Sequence, residues 1–443
     1  MDPDRTERGA SGPAPAAVCV AWHSLSWLVL ANAIGVLTAV LLLAPGLHRW
    51  LGEWTYGRWV RVHMNLELYG WMSLPMAGFL MEHYGADRGP TAAWCRPVLW
   101  AWSTALAVGA VSWLTGHSSG KLFLDETGFA RQALPLAMVA LWLLLAAAFI
   151  RGAGRPRRPA RSLGEGAVLL LLLAVPALLW RASSPAFYPP VNPDTGGPTG
   201  ASQLESSLAV VGILLCLPLG LARRLAGRPW PVRLSWAALA AEALFCGALG
   251  RTDPSPRHPL AWLILVCLLI WIPLTPAYYA SFAWSPGSGR WRKAMLGWWS
   301  LLLVTGWVLF LPGVLDHVKF TDGLVGHSLL AMAGFASSLV IFGMVHWLGE
   351  DGWIFNRTWS FYGWNGGVLA YVLLMALAGW REGSDPGYTI VPGMARDLVY
   401  ALRLLAGSAM FAASLEWLCS ARSLLRAPSR APSAGAPARE RRP

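Results

Sequence analysis

His63 and His327 each stand a few residues inside an apolar segment long enough to cross a membrane. An ionisable side chain at membrane depth is costly, so it faces a partner or a cavity and marks a candidate functional site. A neutral imidazole presents a nitrogen lone pair, and two of them at one depth on separate helices supply the donor set for axial ligation of an iron porphyrin. The same residue type also serves as a plain interhelical hydrogen-bond donor. Spacing alone leaves both roles open. Arg58, Arg61 and Arg381 lie at the level of the histidines, where guanidinium groups pair with carboxylates such as porphyrin propionates or anchor helix ends at lipid head groups. Glu205 and Glu242 place carboxyl groups in two further apolar segments, suited to a proton or ion route or to a protonated, hydrogen-bonded structural role. Glu67, one turn beyond His63, is placed to orient that imidazole through a hydrogen bond.

The elements that carry these residues follow from hydropathy. About 20 apolar residues at 1.5 Å rise cover the hydrocarbon core of a bilayer. Twelve such runs stand at about 17–45, 59–81, 97–115, 131–150, 162–180, 203–222, 234–250, 259–280, 294–312, 323–348, 359–380 and 396–419. The chain is 55% apolar and only 13% charged, with 27 tryptophans, and no soluble domain fits between the runs. The expected fold class is all-α, a polytopic membrane protein of twelve transmembrane helices spanning 17–419. It is flanked by an N-terminal segment 1–16 and a disordered basic tail 420–443 rich in Ala, Pro, Ser and Arg. The N-terminal segment carries Asp2, Asp4, Arg5 and Arg8 and lacks the pattern of a cleavable signal peptide.

Lysine and arginine set the expected orientation. With the N-terminus inside, inner segments hold 23 of the 35 basic residues and outer loops hold 11, with Arg403 inside the last span. Both termini are then cytoplasmic, in a bacterial inner membrane. The net charge of +12 is accounted for by loop arginines facing anionic lipid, so no nucleic-acid partner is expected. The six cysteines form no C-x-x-C and no C-x-x-C-H, so any haem would be held without covalent attachment. Trp298, Trp299, Trp353, Trp359, Trp364 and Trp380 are expected near span ends as an interfacial belt. The Gly- and Pro-rich loop 189–200 lacks the lysine of a phosphate-binding loop and is expected to cap the outer face of the sixth span.

The stretch from Arg61 through His63, Glu67 and Gly70 to Pro75 resembles the second transmembrane helix of subunit I of the haem–copper oxidases. The nearest branch is that of C-type cytochrome c oxidases and nitric oxide reductases. The stretch from Lys319 through Asp322 and His327 to Phe335 resembles the tenth helix of the same subunit. The resemblance extends to the number of spans and to cytoplasmic termini. It implies an oxidase-like bundle, non-covalent haem b with His63 and His327 as ligands, Arg61 and Arg381 at the propionates, and a periplasmic cytochrome c or other oxidase subunits as partners. It implies a role in respiratory electron transfer.

Two departures limit what the resemblance implies. The family's tenth helix carries H-x-H, the first histidine on a high-spin haem and the second completing a low-spin one; here the second position is Leu329. If the family packing holds, His327 faces the high-spin haem and His63 has lost its partner; after a helix rotation one haem would instead sit between His63 and His327, and Met332 is a further axial candidate. The family's copper is bound by histidines on helices six and seven, and 203–222 and 234–250 contain none. Copper and a complete oxygen-reducing centre are therefore not expected. The alternative is a haem-free transporter, sensor or assembly partner that keeps the oxidase fold.

Overall fold

In a bilayer every backbone polar group must find a partner within its own segment, which restricts an apolar chain of this kind to helices. The computed structural model is accordingly all-α, and describes residues 15–119, 121, 123, 127–152, 159–187, 200–227, 229–249, 263, 266–309, 311 and 313–426. A helix stands at each of the twelve apolar runs. They are α1 (Pro15–Leu43), α2 (Tyr56–Asn65, Leu66–Met72 and Ser73–Tyr84 in continuity), α3 (Ala92–Leu114) and α4 (Ala133–Gly152). Next come α5 (Pro159–Leu172 and Ala174–Ala182), α6 (Gly200–Leu221), α7 (Pro229–Leu249) and α8 (Trp271–Tyr279). The last four are α9 (Gly289–Leu309), α10 (Asp322–Leu329, Leu330–Ala336 and Ser337–Leu348 in continuity), α11 (Thr358–Ser384) and α12 (Met394–Arg426). Seven helices are long and apolar enough to cross a membrane by length and composition. Among the described residues the strands amount to one antiparallel pairing of Arg223–Arg224 with Phe282–Ala283.

The ends of the bundle closest to His63 and His327 are the α1–α2, α9–α10 and α11–α12 connections. There α1 packs along α12 and against α2, α9 packs on α10, and α11 packs on both α10 and α12. Asn32 of α1 donates to the Ser414 hydroxyl of α12 at 3.1 Å. Arg403 of α12 donates to the Asp322 carboxylate of α10 at 2.7 Å, so the one arginine inside the last span has an ionic partner.

Two expectations change. The last helix runs to Arg426 rather than ending at 419, because Trp417 and Ala421 turn a fully buried face to the bundle and Ser420 donates to Glu416 one turn back. The remaining tail 427–443, the segment 1–14 and loop residues 188–199 lie outside the described residues. The tryptophans also divide. Trp353, Trp359 and Trp380 are exposed, whereas Trp298, Trp299 and Trp364 belong to the core and each donates its indole N–H to a partner inside it. A buried indole needs such a partner, so these three act as pins rather than as interfacial anchors.

Candidate functional site

His63 lies in the first part of α2, with its ring laid over Gly35 of α1. A Cβ at Gly35 would stand 3.0 Å from the imidazole Cε1, so any larger residue there would press on the ring. Nδ1 lies 2.8 Å from the carbonyl oxygen of Ala31, one turn before Gly35. A carbonyl only accepts, so the proton must be on Nδ1 and Nε2 carries a bare lone pair. This bond comes from α1 rather than from Glu67, the group expected to orient the ring.

His327 is held in the same way. Its ring faces Gly306 of α9, where a Cβ would come within 3.7 Å of Cε1. Its Nδ1 is 3.1 Å from Thr305 Oγ1. That hydroxyl also reaches the carbonyls of Leu301 and Leu302, at 2.9 and 3.1 Å. With its proton on either carbonyl it accepts from Nδ1–H, the tautomer that leaves the lone pair on Nε2. Among the described residues neither Nε2 has a hydrogen-bond partner.

The likeness of the two histidines extends to everything around them. Three residues after each, the helix opens into a π-helical stretch, Leu66–Met72 in α2 and Leu330–Ala336 in α10. Such wide turns are rare and concentrate at functional sites. Ser73 and Ser337 close them, each donating to the carbonyl five residues earlier, Leu68 at 2.8 Å and Met332 at 3.1 Å. The next carbonyl in each stretch is capped from the following helix: Trp102 of α3 donates to Tyr69 at 2.9 Å, and Trp364 of α11 donates to Ala333 at 3.1 Å. Gly70 and Gly334 admit a tryptophan from the preceding helix, Trp27 and Trp298. Those two indoles in turn donate to Ser103 at 3.1 Å and Asn365 at 2.8 Å, the residues just after the capping tryptophans. Each carrier helix ends on a glycine of positive φ, Gly85 at 71° and Gly349 at 62°. The trios α1–α2–α3 and α9–α10–α11 are thus built on one plan, and the chain contains it twice.

Among the described residues two indole bonds tie the copies together. Trp71 of α2 donates to Ser337 of α10 at 2.8 Å, a bond without a counterpart because the equivalent of Trp71 is Phe335, which has no donor. Trp347 of α10 donates to the Glu82 carboxylate of α2 at 3.2 Å.

The other expected site residues fall elsewhere. Arg61 donates to the Ser118 hydroxyl, and Arg58 donates to the Leu114 carbonyl at 2.8 Å, so both clamp the end of α3. Arg381 is exposed on the last turn of α11. Glu242 is buried and accepts the indole N–H of Trp271 at 2.9 Å, a structural bond between α7 and α8. The side chain of Glu205 lies outside the described residues. Met332 sits in the π stretch of α10, where its carbonyl receives Ser337. The remaining buried histidines are structural: His23 pairs with Ser103 at 2.8 Å, and His346 accepts from the Ser285 amide at 3.0 Å.

A cavity of about 760 Å³ is lined by Met64 and Ser328, the residues that follow the two histidines, and not by the histidines themselves. Its polar wall holds Asp316, Lys319, Asp322 and Glu382. Taken singly, each imidazole suits an axial ligand of an iron porphyrin, held at Nδ1 and with an Nε2 that has no partner among the described residues. The wall of this cavity does not suit the propionate edge, because acids outnumber bases there. Among the described residues no group of three metal-ligating side chains is present. Comparison with known proteins finds no family model that matches the chain and no curated relative.

Proposed function

We propose that the chain is a haem-binding membrane protein of the oxidase subunit I type, with twelve spans, both termini cytoplasmic and a place in respiratory electron transfer at a bacterial inner membrane. His63 and His327 are its candidate axial ligands. One observation carries this reading: both rings are held at Nδ1 by a neighbouring helix, and among the described residues neither Nε2 has a hydrogen-bond partner. That is the arrangement by which proteins fix the tautomer and heading of a ligating imidazole. The matched π stretches, serine closures and tryptophan caps support it, since a histidine used only for packing has no need of a reinforced seat.

Bound haem b would supply one-electron redox chemistry. The work of the chain is to hold the two imidazoles neutral, to orient them through Ala31 and Thr305, and to keep their surroundings dry through the packed tryptophans. Copper and oxygen reduction are not part of the proposal, because α6 and α7 bring no histidine to the core. The acidic wall of the cavity lined by Met64 and Ser328 favours a second reading, a haem-free transporter, sensor or assembly partner on the same bundle.

The test is a dithionite-reduced minus oxidised spectrum of the protein purified after haem-replete expression, with a pyridine haemochrome count. About one haem per chain, lost or spectrally shifted in His63→Ala and His327→Ala with the fold retained, is the expected result. A flat spectrum refutes the haem reading and leaves the second one.

A further inference from the structure

The cavity of about 760 Å³ has a lining of its own that the haem reading does not use. We propose that it binds an organic cation with an apolar body, independently of whether haem is present. The charge balance of the wall points to this class. Asp322 is neutralised from the bundle side by Arg403 at 2.7 Å, and Asp316 shares Lys319 at 3.5 Å. Among the described residues Glu382 has no cationic partner. Its Oε2 accepts the backbone N–H of Asp322 at 2.7 Å and its Oε1 accepts the Thr389 hydroxyl, both neutral donors that leave its charge in place. It also stands in the last turn of α11, where the carbonyl end of the helix dipole adds to the negative potential. The opposing N-terminus of α10 is already answered: its first amides go to Glu382 and to the Thr321 hydroxyl.

Apolar residues share the cavity with this carboxylate. Met64, Leu324, Val325 and Ile390 line it, and Phe320 stands at the cavity edge. Phe320 is 84% exposed and holds a φ of 65°, the only described non-glycine residue with positive φ. A bulky residue in that region is strained by roughly 1–3 kcal/mol, and such strain persists where function holds it. An exposed aromatic ring and a carboxylate without a cationic partner among the described residues, lining one cavity of ligand size, are the recognition chemistry of quaternary ammonium and phosphonium ions.

The probe is tetraphenylphosphonium, titrated by calorimetry against the full chain in dodecyl maltoside with a micelle blank, beside its charge-reversed isostere tetraphenylborate. Saturable binding of the cation and not of the anion is expected. Glu382→Gln keeps an acceptor for the Asp322 amide and removes only the charge, and should weaken binding about tenfold. Phe320→Gly removes the ring and relieves the backbone, so it should weaken binding several-fold while leaving the thermal midpoint unchanged or higher. Asp316→Asn, at an exposed side chain, carries the charge test if Glu382→Gln does not fold. Displacement of the probe by phosphocholine would name a lipid head group as the natural cation. Equal binding of both isosteres, or binding of the cation that none of these variants alters, overturns the proposal. None of these readouts requires haem, so a flat redox spectrum would leave this result standing.

Discussion

Substituting alanine at the two equivalent glycines of the π stretches should give unequal results, although both positions receive a tryptophan from the preceding helix. A Cβ at Gly70 would stand 2.5 Å from the Cβ and 2.8 Å from the Cγ of Trp27. The Trp27 Cβ is bonded to the backbone of α1, so relief requires α1 and α2 to move apart by about an ångström, an overpacking cost of roughly 1–3 kcal/mol. A Cβ at Gly334 would meet ring atoms of Trp298 at 3.0 and 3.1 Å. A ring edge gives way by a few tenths of an ångström through a small tilt. Alanine also returns about 0.5–1 kcal/mol over glycine through reduced backbone entropy. The net expectation is a loss of about 1–2 kcal/mol for Gly70→Ala and a change within ~1 kcal/mol of zero for Gly334→Ala. Equilibrium unfolding with increasing SDS in mixed micelles, followed by tryptophan fluorescence and circular dichroism, measures both. If Gly334→Ala were destabilised as much as Gly70→Ala, the inference from these contacts would be wrong.

Two further outcomes are expected. Asp87, in the turn after α2, has a carboxyl pushed up to about 7, first by burial and then by the neighbouring Glu82, with Arg88 pulling the other way. Its folded pKa lies above its ordinary 3.8, so the folded state holds the proton more tightly and stability falls as pH rises between about 4 and 7. Asp87→Asn should flatten that fall by on the order of 1–2 kcal/mol, read by comparing unfolding at pH 5 and pH 8; an unchanged slope refutes it. Arg403→Ala leaves Asp322 charged and without its partner inside the bundle and should cost about 3–5 kcal/mol, whereas Arg403→Met combined with Asp322→Asn should cost clearly less. Equal losses in the single and double variants would show that the pair is not coupled.

Hydropathy made the helices legible and placed His63 and His327 correctly inside α2 and α10, because long apolar runs have few other folds available. The conformation around them was not legible by that route. A π turn has no compositional signature, so a stretch such as Leu66–Met72 reads as ordinary helix. The duplicated plan did leave a trace in the sequence. His63, Leu66, Gly70, Ser73 and Gly85 recur at the same intervals as His327, Leu330, Gly334, Ser337 and Gly349, and a comparison of the chain with itself at fixed lag would find them. The orienting partners Ala31 and Thr305 were beyond reach, since a backbone carbonyl on α1 and a threonine on α9 become partners only once the helices are packed. Glu67 was the nearest polar neighbour in sequence and therefore the wrong expectation for His63. Arg61 and Arg381 had the right charge at the right level, but charge and level do not say that Arg61 is taken up by Ser118.

The π stretch also makes α2 tolerant of a change in length. Its bonds run from i to i+5, so a wide turn carries one residue more than an α turn over the same arc. A single deletion within Leu66–Met72 would therefore restore a regular helix and leave Ser73–Tyr84 on nearly its present heading. Phe79 and Glu82 would keep their contacts with Trp347, and His63 would still face Gly35. In a regular α-helix the same deletion would swing the far half by about 100°. A residue can thus be gained or lost along a lineage at this one place without turning either half of the helix.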